Sequence, residues 1–325
     1  MEQQTNNLHK TAAFFSKYGI FFAFVLLAGI LAVASPSFRT LPNIQNILQQ
    51  ISMNGIIAIG MTLVIITAGI DLSVGSVLAL SAVVATSFAH SASSDHPEYH
   101  EHALIVPLAM GILTGLVCGT VNGFLIAKKR LAPFIVTLGM MTVARGVALV
   151  YTGGRPVIDL SDNFDKIGGG SVCGIPFPSL IFFGVVLLGV FILHFTRFGR
   201  YVYAVGGNEL AAKVSGVNTD RVLISVYAFS GALAGVAGIV LSSRIMSGPP
   251  ATGQGYELDA IAAVVIGGTS LSGGIGSIAG TIVGVLIIGV MNNGLDLLNV
   301  TSYWQQIVKG VIIVLAVLLD KKSKH

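Results

Sequence analysis

The ionisable side chains that could do chemistry in this sequence are few and far apart. Asp71, Arg145, His194 and Lys309 each stand in or beside a different apolar stretch. No spacing groups them into a nucleophile, a base and an oxyanion donor, and no catalytic residue is expected. An unpaired charge inside a membrane costs at least a few kcal/mol, so Arg145 is expected to face its neighbours or snorkel outward. Asp71 precedes Leu-Ser-Val-Gly75 and has two readings. It can accept backbone N–H bonds from Ser73 to Gly75 as a helix cap, or it can carry a proton in a relay. The run His96-Pro-Glu-Tyr-His-Glu-His102 gathers three imidazoles and two carboxylates, which could ligate zinc. Its spacing is not that of an ordered site, so we read it as a solvated loop and expect no metal.

Two apparent nucleotide signatures dissolve in context. Leu271-Ser-Gly-Gly274 resembles the start of a transport-ATPase signature, and Gly274-Ile-Gly-Ser-Ile-Ala279 fits a loose dinucleotide fingerprint. Both lie between apolar stretches without a βαβ unit, and the sequence has no Gly-x-x-x-x-Gly-Lys-[Ser/Thr] phosphate loop. The chain is expected neither to hydrolyse ATP nor to hold a cofactor.

The elements that carry these residues are dictated by composition. Of the 325 residues, 54% are hydrophobic and 10% charged, and mean hydropathy is +0.84. One soluble core cannot hide that much apolar surface, whereas a bilayer accepts it at roughly 20 residues per helical span. Apolar runs fall at about 20–35, 44–67, 74–89, 104–126, 133–151, 178–195, 222–242, 258–267, 277–291 and 305–319. The expected fold is therefore an all-α integral membrane protein of about ten transmembrane helices, some short or broken. The 258–267 run is short enough for a half-span. No cleavable signal is expected in the polar start, and Cys118 and Cys173 do not suggest a disulfide. With the N-terminus inside, twelve Lys and Arg fall on inner segments and four on outer loops. That bias places both termini in the cytosol and assigns the net charge of +4 to topology, not to a nucleic-acid partner. The expected organisation is a cytosolic segment 1–19, one transmembrane domain 20–319 and a tail 320–325.

Glycine and polar loops add detail. Gly111, Gly115, Gly119 and Gly123 recur every fourth position, as do Gly276, Gly280 and Gly284; such stripes let helix backbones approach closely. A weak internal echo links Thr67-Ala-Gly-Ile-Asp-Leu-Ser-Val-Gly-Ser76 with Gly267-Gly-Thr-Ser-Leu-Ser-Gly-Gly-Ile-Gly-Ser277. Both read as unwound inner-face turns, carrying Gly69, Asp71, Ser73 and Gly75 in one, and Gly268, Thr269, Ser270, Gly273 and Gly274 in the other. Freed backbone groups there need polar partners. The longest inner loop, 196–221, contains Asn208-Glu-Leu-Ala-Ala-Lys-Val214. Asn208 can cap a short helix, Glu209 suits its positive end and Gly216 its termination. Leu210, Ala211 and Val214 would form a small apolar face, docking either on a cytosolic partner or on the membrane surface.

The blocks Gly60-Met-Thr-Leu-Val-Ile-Ile-Thr-Ala-Gly-Ile-Asp-Leu-Ser-Val-Gly-Ser76, Gly206-Gly-Asn-Glu209, Gly255-Tyr-Glu-Leu-Asp-Ala-Ile-Ala-Ala-Val-Val-Ile-Gly-Gly-Thr-Ser270 and Asn292-Asn-Gly-Leu295 resemble the permease subunits of bacterial ATP-binding-cassette importers for ribose and related sugars. The resemblance runs from about residue 35 to the C-terminus. It implies a homodimer in the bacterial inner membrane, a cytosolic ATPase that holds ATP and Mg, and an extracytoplasmic sugar-binding protein. It also implies that Asn208, Glu209, Leu210, Ala211, Ala212, Lys213, Val214 and Gly216 couple the chain to that ATPase. The segment departs from the Glu-Ala-Ala…Gly loop of better-known importers by one extra residue, and Ile275 replaces the usual Lys or Arg. The rival reading is an ion-coupled secondary transporter of a small polar solute. It requires midplane carboxylates on broken helices, and the mid-span stretches read as nearly free of them.

Overall fold

The computed structural model describes residues 19–91 and 102–322. Helix α1 covers Gly19–Ala34, and a 3-10 turn at Pro36–Arg39 leads into α2, Leu41–Ile66. Then follow α3 (Val74–Ser87), α4 (Ile105–Lys129), α5 (Pro133–Thr152), the short α6 (Asp162–Gly169) and a two-strand hairpin pairing Ser171–Val172 with Ile175–Pro176. Helix α7 (Phe177–Val190) runs through a π-turn at Phe191–Phe195 into α8 (Arg197–Gly207) and α9 (Glu209–Val214). The remainder is α10 (Thr219–Arg244), α11 (Tyr256–Ile266), α12 (Ile278–Leu297) and α13 (Ser302–Lys322). Among the described residues six helices are long and apolar enough to cross a membrane, namely α2, α4, α5, α7 with its π-turn, α10 and α12, while α1 and α3 are shorter apolar helices.

Burial sorts these helices. Every residue of α2 from Ile51 to Ile66 is buried except Asn54, the pattern of a helix surrounded on all sides. Helices α3 and α10 share that centre. By contrast α4 shows Leu113, Val117, Val121 and Phe124 to the outside, an apolar stripe suited to acyl chains.

The opposite face of α4 explains the first glycine stripe. Gly111, Gly115, Gly119 and Gly123 are all buried and pack backbone to backbone against α10. A Cβ on Gly115 would strike the Gly231 carbonyl, one on Gly119 the Tyr227 carbonyl, and one on Gly123 would lie 2.7 Å from Ile224 Cα. Gly231 and Gly235 return the favour from α10, meeting the Gly115 and Gly111 carbonyls. In a bilayer, where lipid tails are as apolar as leucine, such close van der Waals contact holds helices together. The second stripe is shorter than its spacing suggests. Gly280 and Gly284 lie against the Gly267 and Ala263 carbonyls, but Gly276 falls in the turn before α12.

The two echoing turns are built alike. After α2, Ala68 N–H donates to Ile65 O (2.9 Å) and Gly69 N–H to Val64 O (3.0 Å); after α11, Gly268 N–H donates to Val265 O (2.9 Å) and Thr269 N–H to Val264 O (3.1 Å). Both ends thus close as Schellman motifs, with Ala68 and Gly268 left-handed at φ 59° and 86°. They also meet, since Gly274 N–H donates to Ile66 O (2.8 Å).

Helix α11 is a half-length element. Its 11 residues span about 16 Å, roughly half of a hydrocarbon core of about 30 Å. The chain reaches it through residues 245–255, which are largely non-helical. Gly248 packs on Thr86 near the end of α3, and Gly253 on Gly75 and Leu78 near its start, so this segment runs into the bundle beside α3. Arg145 on α5 donates to the Pro250 and Thr252 carbonyls (2.6 and 2.7 Å). That satisfies backbone acceptors which lipid could not and gives the intramembrane guanidinium a place to face inward.

Gly119→Ala should therefore cost about 1–3 kcal/mol by overpacking and lower the melting temperature of the purified protein by about 3–10 °C. Gly139→Ala on α5, where a Cβ meets nothing within 4 Å, should leave it unchanged. Equal melting of the two variants in detergent would show that α4 and α10 do not depend on this contact.

Candidate functional site

The segment expected to dock begins as the sequence suggests. Asn208 Oδ1 accepts from Ala211 N–H at 2.9 Å, and past Val214 the helix is closed off at Gly216, which is left-handed at φ 86°. Ala212 is buried against the bundle, whereas Leu210 and Val214 are 78% and 90% exposed. Ala211 and Lys213 are exposed beside them. An apolar pair this open on a six-residue helix has no packing role within the chain.

Glu209 does more than suit a helix dipole. Its carboxylate pairs with Arg130, just beyond α4. A second guanidinium nitrogen of Arg130 reaches Asp220 on α10 at 3.0 Å, and Asp220 also accepts from Lys128 Nζ at 2.9 Å. The Glu209 carboxylate, hydrogen-bonded to Arg130, further favours its charged guanidinium. These four side chains, Lys128 and Arg130 exposed and Glu209 and Asp220 half-buried, tie α4, α9 and α10 together. Sequence reading missed the network because its members are separated by about 80 to 90 positions. The only trace was the basic cluster Lys128-Lys-Arg130.

The echoing turns lie beside this helix. Gly206 and Gly207, ending α8, pack on Ile66 and Gly274, and Gly273 packs on Gly206 and Ala68. Tyr203 of α8 donates to the Gly276 carbonyl (2.9 Å). A cavity of about 470 Å3 opens at the base of α9, lined by Gly69, Arg130, Pro133, Gly206, Glu209 and Tyr227 among others. Thr269 and Ser270 are buried in the second turn. The structure thus brings the 67–69 and 268–276 turns and the 206–216 segment into one assembly at one end of the bundle.

Asp71 belongs to a deeper layer. It is 1% exposed. Its Oδ1 accepts from Ser73 N–H (3.0 Å) and Ser73 Oγ (2.6 Å), and its Oδ2 from Ser230 Oγ (3.3 Å). Asn122 Nδ2 in turn donates to Ser73 Oγ (3.0 Å). The expected cap is corrected in detail. Asp71 takes no bond from Val74 or Gly75; standing two residues before Ser73, it closes an Asx turn there, and Ser73 is the residue that precedes α3. Ser230 lies 11 positions into α10, so Asp71 sits about 16 Å from that helix's start. Gly75 packs on Gly253 and Glu257 at the same depth.

A buried charge pair qualifies the reading that the mid-span stretches are nearly free of carboxylates. Asp259 of α11 is 3% exposed and accepts from Lys309 Nζ of α13 at 2.9 Å and from Asn292 Nδ2 of α12 at 3.2 Å. The sequence put Asp259 at the edge of an apolar run. The inward course of 245–255 carries that edge to mid-depth. His194 turns instead toward its own helix, near the Val190 carbonyl. The 96–102 histidine loop lies outside the described residues except for His102. Among the described residues no cluster of three His, Cys, Asp or Glu could hold a metal ion, and Cys118 and Cys173 are free thiols.

Asp71→Asn keeps an acceptor for Ser73 and should shift the melting temperature of the detergent-solubilised protein by no more than about 3 °C. Asp71→Leu strands buried donors at about 1–3 kcal/mol each and should lower it by about 5–10 °C. If Asn is as damaging as Leu, the negative charge and not the hydrogen bonding matters at this position.

Comparison with known proteins accounts for nearly the whole chain. Residues 43–317 match the family described as "Branched-chain amino acid transport system / permease component". The ribose import permease protein of Escherichia coli (strain K12) is 49% identical over 93% of this chain and 92% of its own length. That of Bacillus subtilis (strain 168) is 47% identical over 94% and 93%. The galactose/methyl galactoside import permease protein of Escherichia coli (strain K12) is 39% identical over 93% of each. No solved structure matches. With a matched family model across most of its length and an apolar helical bundle to carry it, the chain belongs to this permease family and is a multi-pass membrane protein.

Proposed function

We propose that this chain is the membrane-crossing subunit of an ATP-binding-cassette importer that carries ribose or a related monosaccharide into a bacterial cell. The observation that carries this reading is the near-half identity with ribose import permeases over more than nine-tenths of both chains. Permeases for arabinose, galactose and allose follow at 39–40% identity, which places the substrate among monosaccharides. The chain holds no cofactor of its own in this reading; ATP and Mg belong to a partner ATPase. A second copy and an external sugar-binding protein complete the assembly.

In this reading α1 to α5, α7 and α10 to α13 serve as ten crossings, with α11 a partial one. Both termini and the α9 end of the bundle face the cytosol in this reading, which the Lys and Arg distribution supports. This topology is checked by single-cysteine labelling at position 213, exposed on α9, in a cysteine-free background. Labelling should occur only from the cytosolic side; reaction with an impermeant reagent outside intact cells would reverse the orientation.

Coupling follows from α9. Leu210 and Val214 offer an apolar knob to a groove on the ATPase. The Arg130 bridge to Glu209 and Asp220 passes its movement to α4 and α10, while Gly206 and Gly274 pass it to the turns that end α2 and α11. ATP-driven approach of the two ATPases would then alternate access to the space between permease copies. Uptake of labelled ribose by proteoliposomes holding the permease, its ATPase and the binding protein tests the activity. Uptake should require ATP and should vanish in energised vesicles without it. In that assay Leu210→Asp should reduce uptake at least tenfold, because a carboxylate on the docking face resists desolvation. Glu209→Lys, which sets a second cation against Arg130, should do likewise. Wild-type sugar-stimulated ATPase activity in both variants would remove α9 from the coupling path.

A further inference from the structure

The broken helix α11 opens at mid-depth onto polar groups that have no internal use. Asp259 Oδ2 accepts from both Lys309 and Asn292, yet Asp259 Oδ1 and Asn292 Oδ1 are buried without a partner. On α2, Gln50 Oε1 and Asn54 Oδ1 are in the same condition, one turn apart on one face. Asp259 lies seven residues before Ile266, about 10 Å from the end of α11, whereas Asn54 and Gln50 lie about 18 and 24 Å before the end of α2. The two pairs of buried oxygens therefore sit at different depths, and the Asp259–Asn292 pair is the one that stands beside a charge.

The charges beside Asp259 and Asn292 define what could supply donors to that pair. The Asp259 carboxylate is matched by the Lys309 ammonium, so neither a free cation nor an anion is called for. The lysine side chain keeps 23% of its surface accessible. An ammonium at membrane depth does not face acyl chains but a watery passage or a second chain. Acceptor oxygens beside a neutralised pair suit a neutral molecule with several hydroxyls.

We propose that Asp259, Asn292 and Lys309 form a way-station that hydrogen-bonds the hydroxyls of a monosaccharide part-way through the permease. This rests on the import reading above and adds to it the residues that touch the sugar. Two unshared acceptors on α11 and α12 accept from sugar hydroxyls, and Lys309 donates to a sugar oxygen from the accessible side. The half-helix positions Asp259 at this level; a full-length helix would begin at the surface and bury no carboxylate there.

The test uses the complete reconstituted complex with saturating binding protein, reading sugar imported per ATP hydrolysed. Two pentoses differing by one hydroxyl, both delivered by the binding protein, are compared in wild type, Asn292→Ala and Asp259→Asn. Asn292→Ala should lower ribose imported per ATP about tenfold, the loss expected for one buried hydrogen bond to substrate. Stimulated ATP hydrolysis should stay within twofold of wild type, and the defect should be smaller for the pentose lacking the contacted hydroxyl. Asp259→Asn, which keeps both oxygen-to-nitrogen contacts in shape, serves as the second variant should Asn292→Ala fail to insert. Equal loss of uptake and ATPase activity with both sugars would make the cluster a staple between α11, α12 and α13, overturning the proposal. Wild-type transport by both variants would mean that water alone occupies the level, with the same consequence. If the wild-type complex imports neither sugar, the monosaccharide reading itself fails and this site fails with it.

Discussion

Inside a bilayer no water reaches the backbone, so each peptide group that leaves helical geometry must be satisfied by protein. Among the described residues the chain leaves helical geometry within its bundle after α2, before α11 and after α11. Each interruption is answered locally. Schellman bonds close the ends of α2 and α11, the Asp71 carboxylate holds the Ser73 turn, and the Arg145 guanidinium takes up the Pro250 and Thr252 carbonyls. Elsewhere long helices satisfy themselves, and the glycine contacts of α4 and α10 supply the close packing that the hydrophobic effect cannot supply between helices in lipid.

That constraint also sets which residues can serve transport. Irregular backbone is tolerated at depth only where it is enclosed or lines a cavity, and half-helices in transporters commonly mark the passage of substrate. Helix α11 meets this description by its length, by the inward run of 245–255 and by the charge pair at its first turn. The α9 end is organised differently. Its polar contacts are exposed ion pairs, each contributing little stability on its own in water. Their value is geometric, since Arg130 holds Glu209 and Asp220 at once and so fixes α9 against two long helices.

The two ends of the molecule are connected through shared residues. Ile66 receives Gly274 and abuts Gly206 of α8; α2 then continues from Ile66 through Asn54 and Gln50. A displacement of α9 and α8 is therefore felt along α2, which also packs against α11. Packing this tight does not deform gradually, so such a displacement moves helices as units.

The sequence by itself determined the solvent, the helical class, most helix positions, the glycine stripes and the capped helix at 208–216. All of these depend on local composition or on a period of a few residues, such as Asn208 three positions from Ala211. It also exposed the echo between residues 67–76 and 267–277, whose helix ends close with matching hydrogen bonds. What it could not reveal were pairings across long separations: Arg130 with Glu209 and Asp220, Asp71 with Ser230, and Asp259 with Lys309. No local pattern encodes which helix faces which, because apolar faces in a bilayer are nearly interchangeable. Tertiary structure alone decided that residues 245–255 turn inward, which moved Asp259 from the apparent edge of a span to its interior and gave Lys309 its counter-charge.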